Sequence, residues 1–249
     1  MDLKGTAALV TGGSGDLGRA IAVALADAGA DVAVTWVDYK QGAFETMRLV
    51  AERGRRSAMV QLDQSDTAAI APAVETAVGE LGRLDILVNN AGWNTGVPFR
   101  DLDALTVDIW DHIQEVNLRG PFFLARAAAR YLRVHDAGRI VNVASVAGLR
   151  AAGSSIAYAV AKAGLIHLTR CLAVAMAPEV TVNCVAPGLM EGTRMMKRLP
   201  AEVVDSTRRL AVLQRSTGIE DVAAQVVAFC RSDSVTGQVL NIDAGVHFH

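Results

Sequence analysis

A doubly wound α/β domain on a seven-stranded parallel sheet, with helices on both faces, is predicted by three features of this 249-residue sequence. Seven short apolar runs alternate with longer stretches of helical period. The runs are continuously Val/Ile/Leu/Ala-rich rather than alternating, as strands buried on both faces are. A glycine-rich turn joins the first run to the first helical stretch, where a doubly wound sheet places its nucleotide-binding loop.

The strands are expected at Ala7–Thr11, Asp31–Trp36, Ser57–Leu62, Asp85–Asn89, Arg139–Ala144, Val180–Val185 and Val239–Ile242. Gly29 and Gly54 are placed to close the helices that start near Leu17 and Gln41, as left-handed caps. Ser65 is placed to cap the next helix, and Pro178 to end the long one that begins near Ser155. Residues 188–217 break the rhythm. They are charged, Met-rich and poor in strand signal, and so long an insertion reads as a functional loop or lid.

Composition narrows the function. The net charge of −2 gives no basic field for nucleic acid or anionic lipid. The N-terminus carries charges where a signal peptide needs an apolar run. The most apolar stretch, from Ala163 to Pro178, is interrupted by His167 and Arg170 and reads as too short and polar to span a bilayer. Cys171, Cys184 and Cys230 are too widely spaced for a disulfide framework or metal knuckle, and read as buried free thiols of a cytoplasmic protein. No metal is expected. His112, His135 and His167 are isolated, and His247 and His249 lack further ligands.

The turn Thr11-Gly12-Gly13-Ser14-Gly15-Asp16-Leu17-Gly18 lets backbone amides approach a pyrophosphate, with the helix N-terminus supporting its charge. Asp63 and Gln64 end the third strand, where a carboxylate can accept an adenine amino group. Asn89-Asn90-Ala91-Gly92 ends the fourth, where small residues let a nucleotide ribose lie over the sheet edge. Tyr158 and Lys162 are four apart and share one helix face. A desolvated ammonium there, together with the positive ring of a bound nicotinamide, can lower the Tyr pKa from about 10 toward neutrality. Ser145 follows the fifth strand, so its hydroxyl is placed to hold a substrate oxygen that Tyr158 protonates. Asn117 precedes Gly120-Pro121, where the backbone should kink; a polar side chain at that kink can hold a water that feeds protons to Lys162.

Asn117, Ser145, Tyr158 and Lys162, with the glycine turn, Asn89–Gly92 and Pro187-Gly188, resemble the short-chain dehydrogenase/reductase family from Gly5 to Gly245. The likeness is to the shorter branch, which includes 3-oxoacyl-carrier-protein reductases. It implies a single Rossmann-type domain over 1–249 and an NAD(P)-dependent oxidoreductase that interconverts an alcohol and a ketone or aldehyde. Tyr158 would be acid/base, Lys162 would lie on the nicotinamide ribose, Ser145 on the substrate oxygen and Asn117 in a proton relay. Gly12, Ser14, Gly15, Leu17, Asp38, Asp63, Gln64, Asn90, Ala91, Gly92, Pro187, Gly188 and Thr193 would join Tyr158 and Lys162 around the cofactor.

Departures keep other readings open. The spacing Gly12-x-x-Gly15-x-x-Gly18 resembles the epimerase branch, so a nicotinamide-dependent epimerase or dehydratase is the first alternative and a non-catalytic dinucleotide sensor the second. Asp16 stands where the shorter branch has glycine, and is expected to cap its helix. Gly192 stands where the family has threonine, with Thr193 next. Asp243-Ala244-Gly245 replaces Asp-Gly-Gly. Trp36 replaces the aspartate that selects NAD, Asp38 opposes a 2′-phosphate, and Lys40 and Ser14 tolerate one, so NAD or NADP stays undecided. Trp93, Asn94, Met190, Met195 and Met196 are candidates for a substrate wall; Arg194, Lys197 and Arg198 would favour an anionic group. The long apolar helix from Ser155 to Ala177 suggests cover by another subunit, which the resemblance extends to a homotetramer, with a small-molecule substrate as the other partner.

Overall fold

The seven strands lie in the order β3-β2-β1-β4-β5-β6-β7, all parallel. The computed structural model describes all residues except Asp136, Arg194, Met195, Lys197, Arg198 and His249. β1 (Ala7–Val10), β2 (Asp31–Trp36) and β3 (Ser57–Gln61) run outward in one direction from the centre, and β4 (Ile86–Asn89), β5 (Gly138–Val143), β6 (Val180–Pro187) and β7 (Val239–Ile242) in the other. The order reverses between β1 and β4. The loops leaving those two strands therefore diverge and open a crevice at the carboxyl edge.

The continuous apolar runs have the expected cause. In β1, Ala8 and Val10 enter one core cluster while Ala7 and Leu9 enter the other. The first cluster lies under α1 (Asp16–Asp27), α2 (Lys40–Ala51) and α8 (Ile219–Arg231), which contribute Ile21, Leu25, Val50 and Val226. The second lies under α3 (Thr67–Leu81), α5 (Gly120–Leu132) and α6 (Ile156–Ala175), through Ile70, Val74, Leu124 and Leu172. Apolar side chains on both strand faces remove both from water, so no polar alternation survives.

Gly29 and Gly54 have φ of +103° and +70° just past α1 and α2, as expected of helix-closing glycines. The cap of α3 differs. Asp66, not Ser65, accepts the Ala68 amide, while Ser65 donates its own amide and hydroxyl to Asp63 Oδ1. Two neighbouring oxygen-bearing side chains compete for such a cap, and local backbone geometry chooses between them. Asp16 is likewise the first helical residue of α1 rather than its cap, which is Gly15.

Asn117 sits in a π-helical turn, Glu115–Arg119, that joins α4 (Val107–Gln114) to α5. Proline two residues later has no amide hydrogen for the α ladder, so the expected kink takes the form of a widened turn. Residues 188–217 are not wholly irregular. They contain α7 (Ala201–Leu210), and Met190 bridges to Thr217 at the base.

α6 corrects two expectations. By length and composition alone it is apolar enough to cross a membrane, but half of it is buried in the core beneath the sheet edge. Cys171 on it is exposed, whereas Cys184 and Cys230 are buried as expected. Its N-cap is Ser155, fully buried, whose hydroxyl accepts the Tyr158 amide at 3.1 Å. Ser155→Ala should cost about 1 kcal/mol and lower the melting temperature by roughly 2–4 °C, measured by calorimetry.

Candidate functional site at the carboxyl edge

The glycine turn is built for close approach. Gly12 takes φ +65°, and its amide donates to Thr35 Oγ1 at 3.0 Å. A Cβ on Gly18 would lie 2.4 Å from Gly12 O and 2.7 Å from Asn90 Nδ2, so only glycine lets α1 start this near the turn. Gly15 begins α1 without any side-chain cap, and Ser14 lies half-buried before it. A glycine at the cap leaves the start of this twelve-residue helix open to close approach, which suits a pyrophosphate. Leu17 is buried and anchors the helix in the core.

Thr11, at the strand end and with no role assigned from the sequence, ties this turn to the next strand end. Its Oγ1 accepts the Asn90 and Ala91 amides at 3.0 and 2.9 Å, and Asn90 Nδ2 donates back to Thr11 O at 2.7 Å. A threonine at a strand end was the only available signal.

The outer end of the crevice is open. Asp38 and Asp63 are exposed at the ends of β2 and β3, and Lys40 Nζ lies 5.7 Å from the Trp36 ring centroid. Gln64 departs from expectation. It is buried, and its amide donates to Val116 O at 2.6 Å and Ala91 O at 3.4 Å. Its side chain braces the Asn90–Gly92 loop against the π-turn instead of projecting into the crevice.

The chemical groups converge from four elements. Tyr158 and Lys162 project from α6, with Lys162 Nζ 5.6 Å from the Tyr158 ring centroid. Lys162 is 3% exposed, and its ammonium donates to Val143 O at 3.0 Å. Ser145, just past β5, accepts the Ala147 amide, and its hydroxyl acts on the Tyr158 phenol in the direction that favours the phenolate. Asn117 is fully buried; its amide donates to Trp93 O at 2.6 Å and Ile113 O at 2.9 Å, leaving Oδ1 with no hydrogen-bond partner among the described residues. Gly92 separates the two halves. A Cβ there would lie 2.9 Å from Asn117 Oδ1 and 3.5 Å from Lys162 Nζ, so its bare Cα keeps the Asn117 amide and the ammonium facing one small space.

The electrostatics correct one expectation. Burial pushes the Tyr158 phenol up to about 12, and the Ser145 hydrogen bond only partly opposes it. Burial also pushes Lys162 down to about 8. Desolvation penalises both charged forms, so the protein alone does not lower the phenol pKa as the Tyr/Lys spacing implies.

The far wall is the end of β6. Gly188 donates its amide to Ile242 O at 2.8 Å, and a Cβ on Gly188 would lie 2.9 Å from Asp243 Cβ. Asp243 holds the C-terminal turn. Burial alone would raise its carboxyl, but hydrogen bonds from His247, Asn241 and the Gly245 and His247 amides outweigh that and hold it below the ordinary value. Thr193 is buried, and its hydroxyl is engaged locally, donating to Met190 O and accepting the Met196 amide. Met196 lines an open groove of about 430 Å³ with Glu191, Val204 and Arg208. Met195, Arg194, Lys197, Arg198 and His249 lie outside the described residues. Trp93 packs edge-on against His112 at 4.6 Å between centroids.

A family model described as enoyl-(acyl carrier protein) reductase matches residues 13–247. The cis-4-hydroxycyclohexanecarboxylate dehydrogenase of Sinomonas cyclohexanicum is 35% identical over 242 residues, covering 96% of this chain and 95% of its own. A short-chain dehydrogenase of Burkholderia cenocepacia J2315, solved with NADP, superposes with TM-score 0.91 at 38% identity, over 99% of each chain. An NAD+-bound xylitol dehydrogenase superposes with TM-score 0.92 at 27% identity, over 98% of this chain and 100% of its own.

The depressed Lys162 pKa fixes a pH dependence. Between pH 8 and about 10.5 the unfolded chain keeps this proton while the folded one releases it, so stability rises with pH across that window. Lys162→Met should therefore be more stable than wild type at pH 7, with an advantage that shrinks over the same window, measured by urea unfolding at a series of pH values.

Proposed function

Because this chain belongs to the short-chain dehydrogenase/reductase family, whose members are NAD(P)-dependent oxidoreductases, we propose that it interconverts a small-molecule alcohol and its ketone or aldehyde, with Tyr158 as general acid/base. The observation that carries this reading is the convergence of Tyr158 and the buried Lys162 ammonium, 5.6 Å from its ring centroid, with Ser145 at the end of β5. A nicotinamide held along the carboxyl edge supplies or accepts the hydride. In reduction the carbonyl carbon takes up hydride, negative charge grows on its oxygen, Ser145 donates a hydrogen bond to it and Tyr158 delivers a proton. Oxidation runs the same transfers backward. The Lys162 ammonium stabilises the phenolate left behind, against the burial that opposes it. Asn117 Oδ1, unpaired and facing the Gly92 gap, is suited to hold a water that returns protons through Lys162.

Gly12, Ser14, Gly15 and Leu17 carry the pyrophosphate turn, Asp38 and Asp63 border the adenosine, and Asn90, Ala91 and Gly92 lie under the ribose. Pro187, Gly188 and Thr193 border the nicotinamide, Thr193 by its backbone unless its hydroxyl leaves Met190 O. Gln64 acts by bracing this loop. The segment 188–217 closes over the substrate. Solved relatives hold NADP in one case and NAD+ in another, and Trp36 with Lys40 beside an exposed Asp38 favours neither dinucleotide, so the comparison of kcat/KM for NADH and NADPH decides.

The cytoplasm is the proposed compartment, and the assembly a homotetramer of 26.2 kDa chains. Val160 and Val174 on α6 and Phe122 on α5 are 46%, 82% and 41% exposed, large apolar side chains that a second subunit would cover. Light scattering at micromolar concentration should report the mass of four chains; a monomer overturns the assembly.

Tyr158→Phe should lower kcat by about a thousandfold while leaving NADPH affinity nearly unchanged. The assay follows NAD(P)H absorbance over a panel of simple ketones, sugars, steroids and acyl thioesters. Retained turnover in that variant rules out Tyr158 as acid/base, and substrate conversion without net absorbance change moves the chain to the epimerase reading.

A further inference from the structure

Three polar side chains cross the core directly beneath the site. Asn89 on β4 and Asn142 on β5 are register partners, and Asn89 Nδ2 donates to Asn142 Oδ1 at 2.8 Å. Asn142 Nδ2 donates to Thr169 Oγ1 on α6 at 2.9 Å, and Thr169 donates to Leu165 O at 2.8 Å. Asn142 and Thr169 are fully buried and Asn89 is 2% exposed. The donors all point one way, so each acceptor is already polarised by the bond before it.

Apolar side chains of similar size would fill this layer with no desolvation cost, so the amides do not serve packing alone. Their neighbours suggest what they do. Asn142 precedes Val143, whose carbonyl accepts Lys162 Nζ, and Thr169 lies two turns beyond Lys162 on the same face of α6. α6 is therefore attached to β5 at two polar points, Lys162 to Val143 O and Thr169 to Asn142. Between them it presents Leu165 and Ile166, whose apolar contacts resist sliding weakly. A helix slipped by one residue moves about 1.5 Å along its axis and turns by about 100°, which takes Tyr158 out of line with Ser145. Asn89 extends the chain toward the π-turn, its Nδ2 lying 3.5 Å from Pro121 O four residues past Asn117.

We infer that Asn142 and Thr169 are positioning residues that set the register of α6 against β5, and with it the placement of Tyr158 and Lys162. The inference rests on the reading of Tyr158 as acid/base. It goes beyond that reading in assigning a part of the geometry to two residues that touch neither substrate nor cofactor.

The test compares Thr169→Val, which keeps the shape and removes the hydroxyl, with Thr169→Ser, which keeps the hydroxyl. Asn142→Ala breaks the same chain from the strand side. Each is assayed with NADPH and the most rapidly reduced ketone of the panel, with fluorescence titration of NADPH and circular dichroism alongside. In Thr169→Val, kcat should fall about tenfold with NADPH affinity unchanged. The limb of the kcat–pH profile that Tyr158 governs should move to higher pH, because a displaced ammonium stabilises the phenolate less. Thr169→Ser should restore both. A folded Thr169→Val or Asn142→Ala with the wild-type kcat and pH limb overturns the inference, whatever its melting temperature, since a merely structural role moves stability alone. A serine variant as impaired as the valine one overturns it too. Tyr158→Phe run in parallel separates the two levels: if it keeps turning over, the acid/base reading fails, whereas an inactive Tyr158→Phe beside an unaffected Thr169→Val removes only the positioning role.

Discussion

The geometry of the site depends on one buried ammonium and the strand carbonyl that holds it. Lys162 sits on a buried face of α6 beside Leu165 and Ile166, where an unpaired charge is strongly unfavourable. Val143 O at 3.0 Å meets that need because it lies at the end of a parallel strand, where a carbonyl is available beyond the ladder. Satisfying the charge fixes α6 against β5. It also places Tyr158 beside Ser145, since all three side chains leave elements that this one bond locks together.

Backbone proximity is the second constraint. Gly12, Gly18 and Gly92 are all positions where a Cβ would strike a neighbour within 3 Å. Each leaves room where a side chain would otherwise stand: at the turn into α1, at its first helical turn, and between Asn117 and Lys162. Thr11 then couples the first region to the second through the Asn90 and Ala91 amides. The strand-order reversal between β1 and β4 opens the crevice, and these contacts hold its two walls in register.

Sequence periodicity made much of this legible. The seven strands fall within one or two residues of expectation, because burial on both faces leaves a continuous apolar signature. The Tyr158/Lys162 face follows from helix geometry, and the kink after Asn117 follows from Pro121. Less was visible where two adjacent residues carry equivalent chemistry. Ser65 and Asp66 can each cap α3, and Gly15 and Asp16 can each begin α1. Gln64 was misplaced for a related reason: a strand-end amide can face the crevice or the protein, and the Val116 carbonyl freed near the π-turn drew it inward. The phenol pKa followed the same pattern, since spacing conveys a nearby charge but not the depth of its burial.

By itself the sequence determined the alternation of strands and helices and the glycine turn, and it singled out Asn117, Ser145, Tyr158 and Lys162 as candidates. These rest on local chemistry: periodicity, caps, and side-chain spacing along one helix or one turn. Only the tertiary structure decided that Thr11 clamps the Asn90 loop, that Asn117 Oδ1 faces Lys162 across Gly92, and that Asn142 meets Thr169. Those pairs are far apart in the chain. What brings them together is the packing of α6 and the π-turn onto the sheet, a property of the whole core that no local pattern records.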